Sequence, residues 1–146
     1  MSDARNDTTT RRVLALVTDR PIDRDAAEAF AASDADGAVV TFAGVVRDHD
    51  GGRSVSALDY EAHPDAERFL REVCDEAAVR TGLRIAAVHR VGALGIGDIA
   101  LLAVVAAPHR AEAFAAIADL IDRIKERVPI WKRQHLDDGL TEWVGL

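Results

Sequence analysis

Lysine is almost missing from this chain. Eighteen of its 146 residues are basic, yet only Lys125 and Lys132 are lysines, and the rest are arginine. Cysteine occurs once, so no internal disulfide framework can form. That residue, Cys74, falls among Ala66, Phe69, Leu70, Val73, Ala77 and Ala78 at the spacing of a buried helical stripe, and it reads as core. Long apolar runs are also lacking: Ile99 to Pro108, the longest, is too short to span a bilayer as a helix. Met1 to Thr10 is polar, has no apolar segment of a secretory signal, and reads as a flexible tail. Cytoplasmic residence is the expectation that follows, with no membrane partner. Positive charge is in deficit, and the net charge of -7 excludes a general nucleic-acid binder while leaving room for a local anion site. His49, His63, His89, His109 and His135 show no close ligand spacing and have no cysteine beside them, so no metal site is expected. Phosphate loops of the Walker or GxGxxG kind are absent, and Ser33, Ser54 and Ser56 lack a nucleophile-elbow context.

The remaining pattern is that of one globular domain over residues 11–146. RVLALVT, from Arg12 to Thr18, reads as a strand. Asp23 is placed to cap a helix through Ala26 to Ala32, which Gly37 breaks. Ala38 to Val46 reads as a buried strand, Arg47 to Arg53 as a polar loop, and Ser54 to Ala62 as a further strand. A helix from Pro64 to about Arg80 ends at Gly82. Leu83 to Val91 and Ile99 to Ala107 form a hairpin whose turn is Gly92 to Asp98. Pro108 opens the last helix, with an apolar stripe of Phe114, Ile117, Leu120, Ile121, Ile124 and Val128, and Pro129 stops it. Ile130 to Leu136 and Leu140 to Val144 are extended, joined by the turn Asp137-Asp138-Gly139. The order β-α-β-β-α-β-β-α-β-β predicts an α+β fold with a mostly antiparallel sheet and about three helices.

Both lysines fall at the corner where the last helix gives way to a strand. Lysine can act as acid, base or nucleophile, whereas arginine keeps its proton. Read from the residues alone, the pair is either a catalytic pair or a chance meeting in an arginine-rich chain. Lys125 flanks the apolar stripe, where it is either a snorkelling side chain or a partly desolvated amine with a lowered pKa. Past Pro129 the period becomes two, so Trp131 and Lys132 face opposite sides; with Trp131 inward, Lys132 faces out or into a groove. Arg123, Arg127 and Arg133 are expected to make the corner basic. At the other end of the helix, Pro108-His109-Arg110 offers free backbone N–H groups and two basic side chains to an anion. Some 17 residues at 1.5 Å each separate the two ends by about 25 Å. His109 and Lys125 therefore serve different sites or meet through a second chain. Arg47, between a buried strand and a glycine turn, is either an anion clamp or part of a solvated hairpin end.

Five ordered segments resemble one family, the MoaE-type large subunit of molybdopterin synthase: GAVVTFAGVVRDH over 37–49, LDYEAHP over 58–64, HRVGALGIGD over 89–98, APHRAEAF over 107–114 and KERVPIWK over 125–132. The third fits an HRxGxLxxG pattern and the last a KxxxPxWK corner, and the likeness runs from about Val13 to Trp143. It implies an alpha/beta-hammerhead type of fold. It implies an enzyme that converts cyclic pyranopterin monophosphate into molybdopterin by installing two dithiolene sulfurs. Sulfur would arrive as a thiocarboxylate on the C-terminal Gly-Gly of a small ubiquitin-like partner. The implied assembly is a homodimer of large subunits within a heterotetramer, with no metal or redox cofactor. Lys125 and Lys132 match the active-site lysines of the family, and Arg47, His109 and Arg110 match substrate-pocket positions. Gln134 departs from the acidic residue common after the WK pair, Asp65-Ala66 replaces a Met-containing helix start, and the chain stops early at Leu146. The competing expectation is a non-catalytic dimeric α+β module that binds an anionic metabolite at His109 and Arg110.

Overall fold

The computed structural model describes residues 12–145. The expected tail, residues 1–10, and Leu146 lie outside the described residues. Nine strands and three helices follow in order: β1 (Val13–Thr18), α1 (Arg24–Ala31), β2 (Ala38–Val45), β3 (His49–Asp50), β4 (Arg53–Ala62), α2 (Ala66–Thr81), β5 (Arg84–Arg90), β6 (Gly92–Gly95), β7 (Ile99–Ala107), α3 (Arg110–Arg127), β8 (Ile130–Leu136) and β9 (Thr141–Gly145). The α+β, mostly antiparallel expectation holds.

The helices start and stop where local chemistry dictates. Asp23 Oδ1 accepts from the Ala26 N–H at 3.0 Å and satisfies a free donor of the first turn of α1. Gly82, at φ 74°, closes α2 by donating to the Ala78 carbonyl at 2.8 Å, a left-handed cap that suits glycine. α3 ends at Val128, whose N–H donates to Ile124, and Pro129 prevents a further turn.

The first sheet runs β1-β5-β7-β2, with β1 parallel to β5 and the other pairs antiparallel. The uninterrupted apolar run of β7 has a direct cause, since both of its faces are buried. Leu101, Ala103, Val105 and Ala107 join the core under α2 and α3, while Leu102, Val104 and Ala106 pack with Ala27 and Ala31 of α1. The second sheet runs β3-β4-β8-β9, and β6 adds to β4. Gly51 and Gly52, both at positive φ, make the two-residue turn of the β3–β4 hairpin. Among the described residues no helix is long and apolar enough to cross a membrane.

Four local expectations change. The segment 92–98 is not a plain turn: Gly92 to Gly95 is a strand that pairs with Tyr60 to Ala57 and joins the two sheets. Phe114 leaves the apolar stripe of α3 and is 57% exposed; Ala113 and Ala116 take the core positions. Trp131 points outward, and Lys132 shares the inner face of β8 with Ile130, Gln134 and Leu136. The first helix stops at Ala31, capped by Ala32, before it reaches Gly37; Gly37 instead allows a close approach to Pro108, because a Cβ there would meet the Pro108 carbonyl oxygen at 2.7 Å.

Candidate active site

A cavity of about 230 Å³ opens between the two sheets at the end of α3. Lys125 reaches it from the last turn of α3, Lys132 from β8, and Arg47 from the loop after β2. Tyr60 of β4 and His89 of β5 complete its polar lining, with Phe42 and Leu101 among the apolar walls. The register explains the meeting. Tyr60 lies directly opposite Lys132 in the β4–β8 ladder, and His89 lies opposite Leu101 in the β5–β7 ladder. A larger cavity, about 380 Å³, lies between α2 and α3. Its charged groups include Arg80 and Asp119, which pair with each other at 2.7 Å, and neither lysine nor histidine lines it. Proton chemistry favours the smaller one.

The electrostatics of that smaller cavity are specific. Burial pushes the Lys132 ammonium below the usual lysine range; Asp50 opposes this, and the charges of Lys125 and Arg47 add to it. Burial also pushes His89 down to about 4, with the nearby Lys125 charge in the same direction. His89 is 2% exposed, and its Nδ1 donates to the Arg90 carbonyl at 2.8 Å. The carbonyl can only accept, so the neutral ring carries its proton on Nδ1 and keeps Nε2 as an acceptor. The Tyr60 ring stands edge-on to it, with centroids 5.1 Å apart, and burial raises the Tyr60 hydroxyl.

Of the residues expected from sequence, Arg47, Lys125 and Lys132 come together here. His109 and Arg110 do not, because they sit at the opposite end of the 18-residue α3. The basic field expected from Arg123, Arg127 and Arg133 is largely neutralised. Arg123 pairs with Asp119 at 2.9 Å, Arg127 with Glu76 Oε2 at 3.0 Å, and Arg133 with Asp59 at 3.1 Å. Arg47 and the two lysines supply the cavity's positive charge instead. Sequence reading missed His89 and Tyr60 as site residues. The available signal was a histidine closing an otherwise apolar stretch, Ile85 to Val88, in a strand whose neighbours are buried. No group of three or more His, Cys, Asp or Glu among the described residues is placed to hold a metal. Cys74 is fully buried in the α2 core, and its thiol is pushed up to about 12, so it is no nucleophile.

The family model described as MoaE protein matches residues 17–127. The chain belongs to the MoaE family. It is 42% identical over 133 residues to molybdopterin synthase catalytic subunit 1 of Mycobacterium tuberculosis, covering 88% of each chain. It is 44% identical over 132 residues to the catalytic subunit of Staphylococcus carnosus, covering 89% of this chain and 87% of that one. A crystal structure of molybdopterin synthase from Staphylococcus aureus superposes with a TM-score of 0.82 at 40% identity, covering 91% of this chain and 97% of the other. This MoaE chain is thus the catalytic subunit of a molybdopterin synthase, a sulfurtransferase that forms molybdopterin. The hammerhead fold expected from the resemblance is the fold observed. The paired lysines of this MoaE chain, 7 positions apart in sequence, share one cavity because Pro129 turns the chain between them.

Proposed function

We propose that the cavity shared by Arg47, Lys125 and Lys132 is where sulfur transfer takes place, with cyclic pyranopterin monophosphate as the acceptor. The observation that carries this reading is the convergence of the chain's only two lysines, from different elements, on one pocket with an arginine. Lys125 takes the leading catalytic role and Lys132 the second. Arg47 holds the anionic substrate. The donor is a small ubiquitin-like subunit whose C-terminal Gly-Gly carries a thiocarboxylate. Its sulfur replaces oxygen on the pterin side chain, and each replacement needs protons delivered to the departing oxygen and removed again. A partly desolvated amine suits that task, and the lowered pKa of Lys132 supports it.

His109 and Arg110 enter through a second copy of the chain. They stand about 24 Å from Lys125 along α3, at 1.5 Å per residue, so a homodimer would bring the anion-binding helix start of one copy to the lysines of the other. A small subunit at each end of that dimer completes a heterotetramer. The test is reconstitution with the thiocarboxylated small subunit and the cyclic pterin. Lys125→Ala should lower dithiolene formation by roughly a hundredfold or more. Lys125→Arg should not restore it, since the charge returns without a transferable proton. Lys132→Ala should cost less. A wild-type rate in Lys125→Ala overturns the role given to Lys125.

A further inference from the structure

The β3–β4 hairpin places a carboxylate beside the cavity to which the mechanism above gives no role. Asp50 is the last residue of β3, next to the Gly51-Gly52 turn. Its two oxygens engage different partners. Oδ2 accepts from Gln134 Nε2 at 2.9 Å, and Oδ1 lies 3.5 Å from the Arg47 guanidinium. Gln134 is 3% exposed and lies two residues from Lys132, on the same inner face of β8. A buried amide left without a partner is costly, so this bond anchors the hairpin to the sheet. The hairpin in turn carries Arg47, and the Val55 N–H donating to Asp48 at 2.8 Å braces the same loop.

The charges around Lys132 give the carboxylate a second effect. Arg47 comes from the loop before β3, Lys125 from α3, Tyr60 from β4 and His89 from β5. Among the described residues Asp50 is the carboxylate that acts on Lys132, and it opposes the burial and the two cations that destabilise the Lys132 ammonium. The Gln134 hydrogen bond holds Asp50 below the usual carboxylate range, so it stays charged whenever the enzyme works near neutral pH.

We propose that Asp50, held by Gln134, is a positioning residue for sulfur transfer: it ties the Arg47 loop to the cavity and acts on the reaction through Lys132. The proposal rests on the placement of Lys132 in the site.

The scarcity of lysine makes a direct test practical. Trace acetylation of the folded protein with acetic anhydride, followed by peptide mass spectrometry across pH 7 to about 11, titrates Lys125 and Lys132 separately. Asp50→Asn removes the opposing charge and keeps the shape. The Lys132 midpoint should fall, and the limb of the dithiolene-formation profile that belongs to Lys132 should fall with it. Asp50→Glu should restore both. Near-ultraviolet circular dichroism checks that each variant is folded. Gln134→Met, which removes the anchor and leaves the charge, should raise KM for the pterin several-fold with a smaller movement of the midpoint. A Lys132 midpoint that stays in place in folded Asp50→Asn overturns the proposal. A midpoint that moves while the activity profile stays put removes Lys132 from the reaction, and then it is the underlying site assignment that fails.

Discussion

Acidification is predicted to destabilise the fold through one residue, His89. The ring is 2% exposed and is held neutral, with burial pushing it down to about 4, whereas an unfolded chain titrates near 6.5. Above about pH 6.5 both states are neutral and His89 makes no contribution to the pH dependence. Between about pH 6.5 and 4 the unfolded state binds a proton that the folded state refuses, so stability falls as pH falls, by up to about 1.4 kcal/mol per pH unit. Over the whole window the loss approaches about 3 kcal/mol, a large share of the roughly 5–15 kcal/mol that holds a domain together. The depressed carboxylates, Asp50 and Asp59 among them, act in a lower window. Their contribution is complete above the unfolded value of about 3.9 and is lost only as pH drops through their folded values. The region between pH 6 and 4.5 therefore isolates the histidine. Urea unfolding followed by tryptophan fluorescence at half-unit pH steps would measure the slope. His89→Gln keeps an amide donor for the Arg90 carbonyl but cannot titrate, and its curve should be much flatter in this window. Parallel slopes for the two proteins would refute the reasoning, whatever their absolute stabilities.

Other outcomes follow from the same geometry. If His109 of one copy works with Lys125 of another, mixing inactive His109→Ala with inactive Lys125→Ala should recover about a quarter of wild-type activity after subunit exchange, because half the dimers are hybrids and each hybrid has one intact site. No recovery, with exchange demonstrated, counts against a shared pocket. Gly37→Ala should cost about 1–3 kcal/mol in urea unfolding, since its Cβ must displace the Pro108 carbonyl. Cys74, buried and with its thiol pushed up to about 12, should react with a thiol reagent only as fast as the protein unfolds.

Much of this architecture was readable from local chemistry. Asp23, Gly82 and Pro129 each act within a turn of their own position, so the ends of the helices followed from the residues themselves. The apolar run of β7 was likewise legible, because a strand buried on both faces leaves no alternation to misread. Phe114 misled because helical spacing tells which residues share a face, not how wide a strip the sheet covers; small Ala113 and Ala116 let α3 approach closely and leave the phenyl ring outside. β6 escaped notice because four residues with two glycines carry no strand signal, and only pairing with β4 makes them one. The lysine pair stood out by rarity. His89, Tyr60 and Asp50 did not, since their importance arises from register and long-range contact, which no spacing along the chain encodes.

The ladder that sets Tyr60 against Lys132 has a consequence for biosynthesis. Lys132 must find a strand translated some seventy residues earlier. Contacts so distant in sequence close slowly and late in folding. A nascent chain can assemble the first sheet with its helices and still lack an assembled pocket. The pocket is thus completed only when β8 docks on β4, after every strand of the first sheet has been translated.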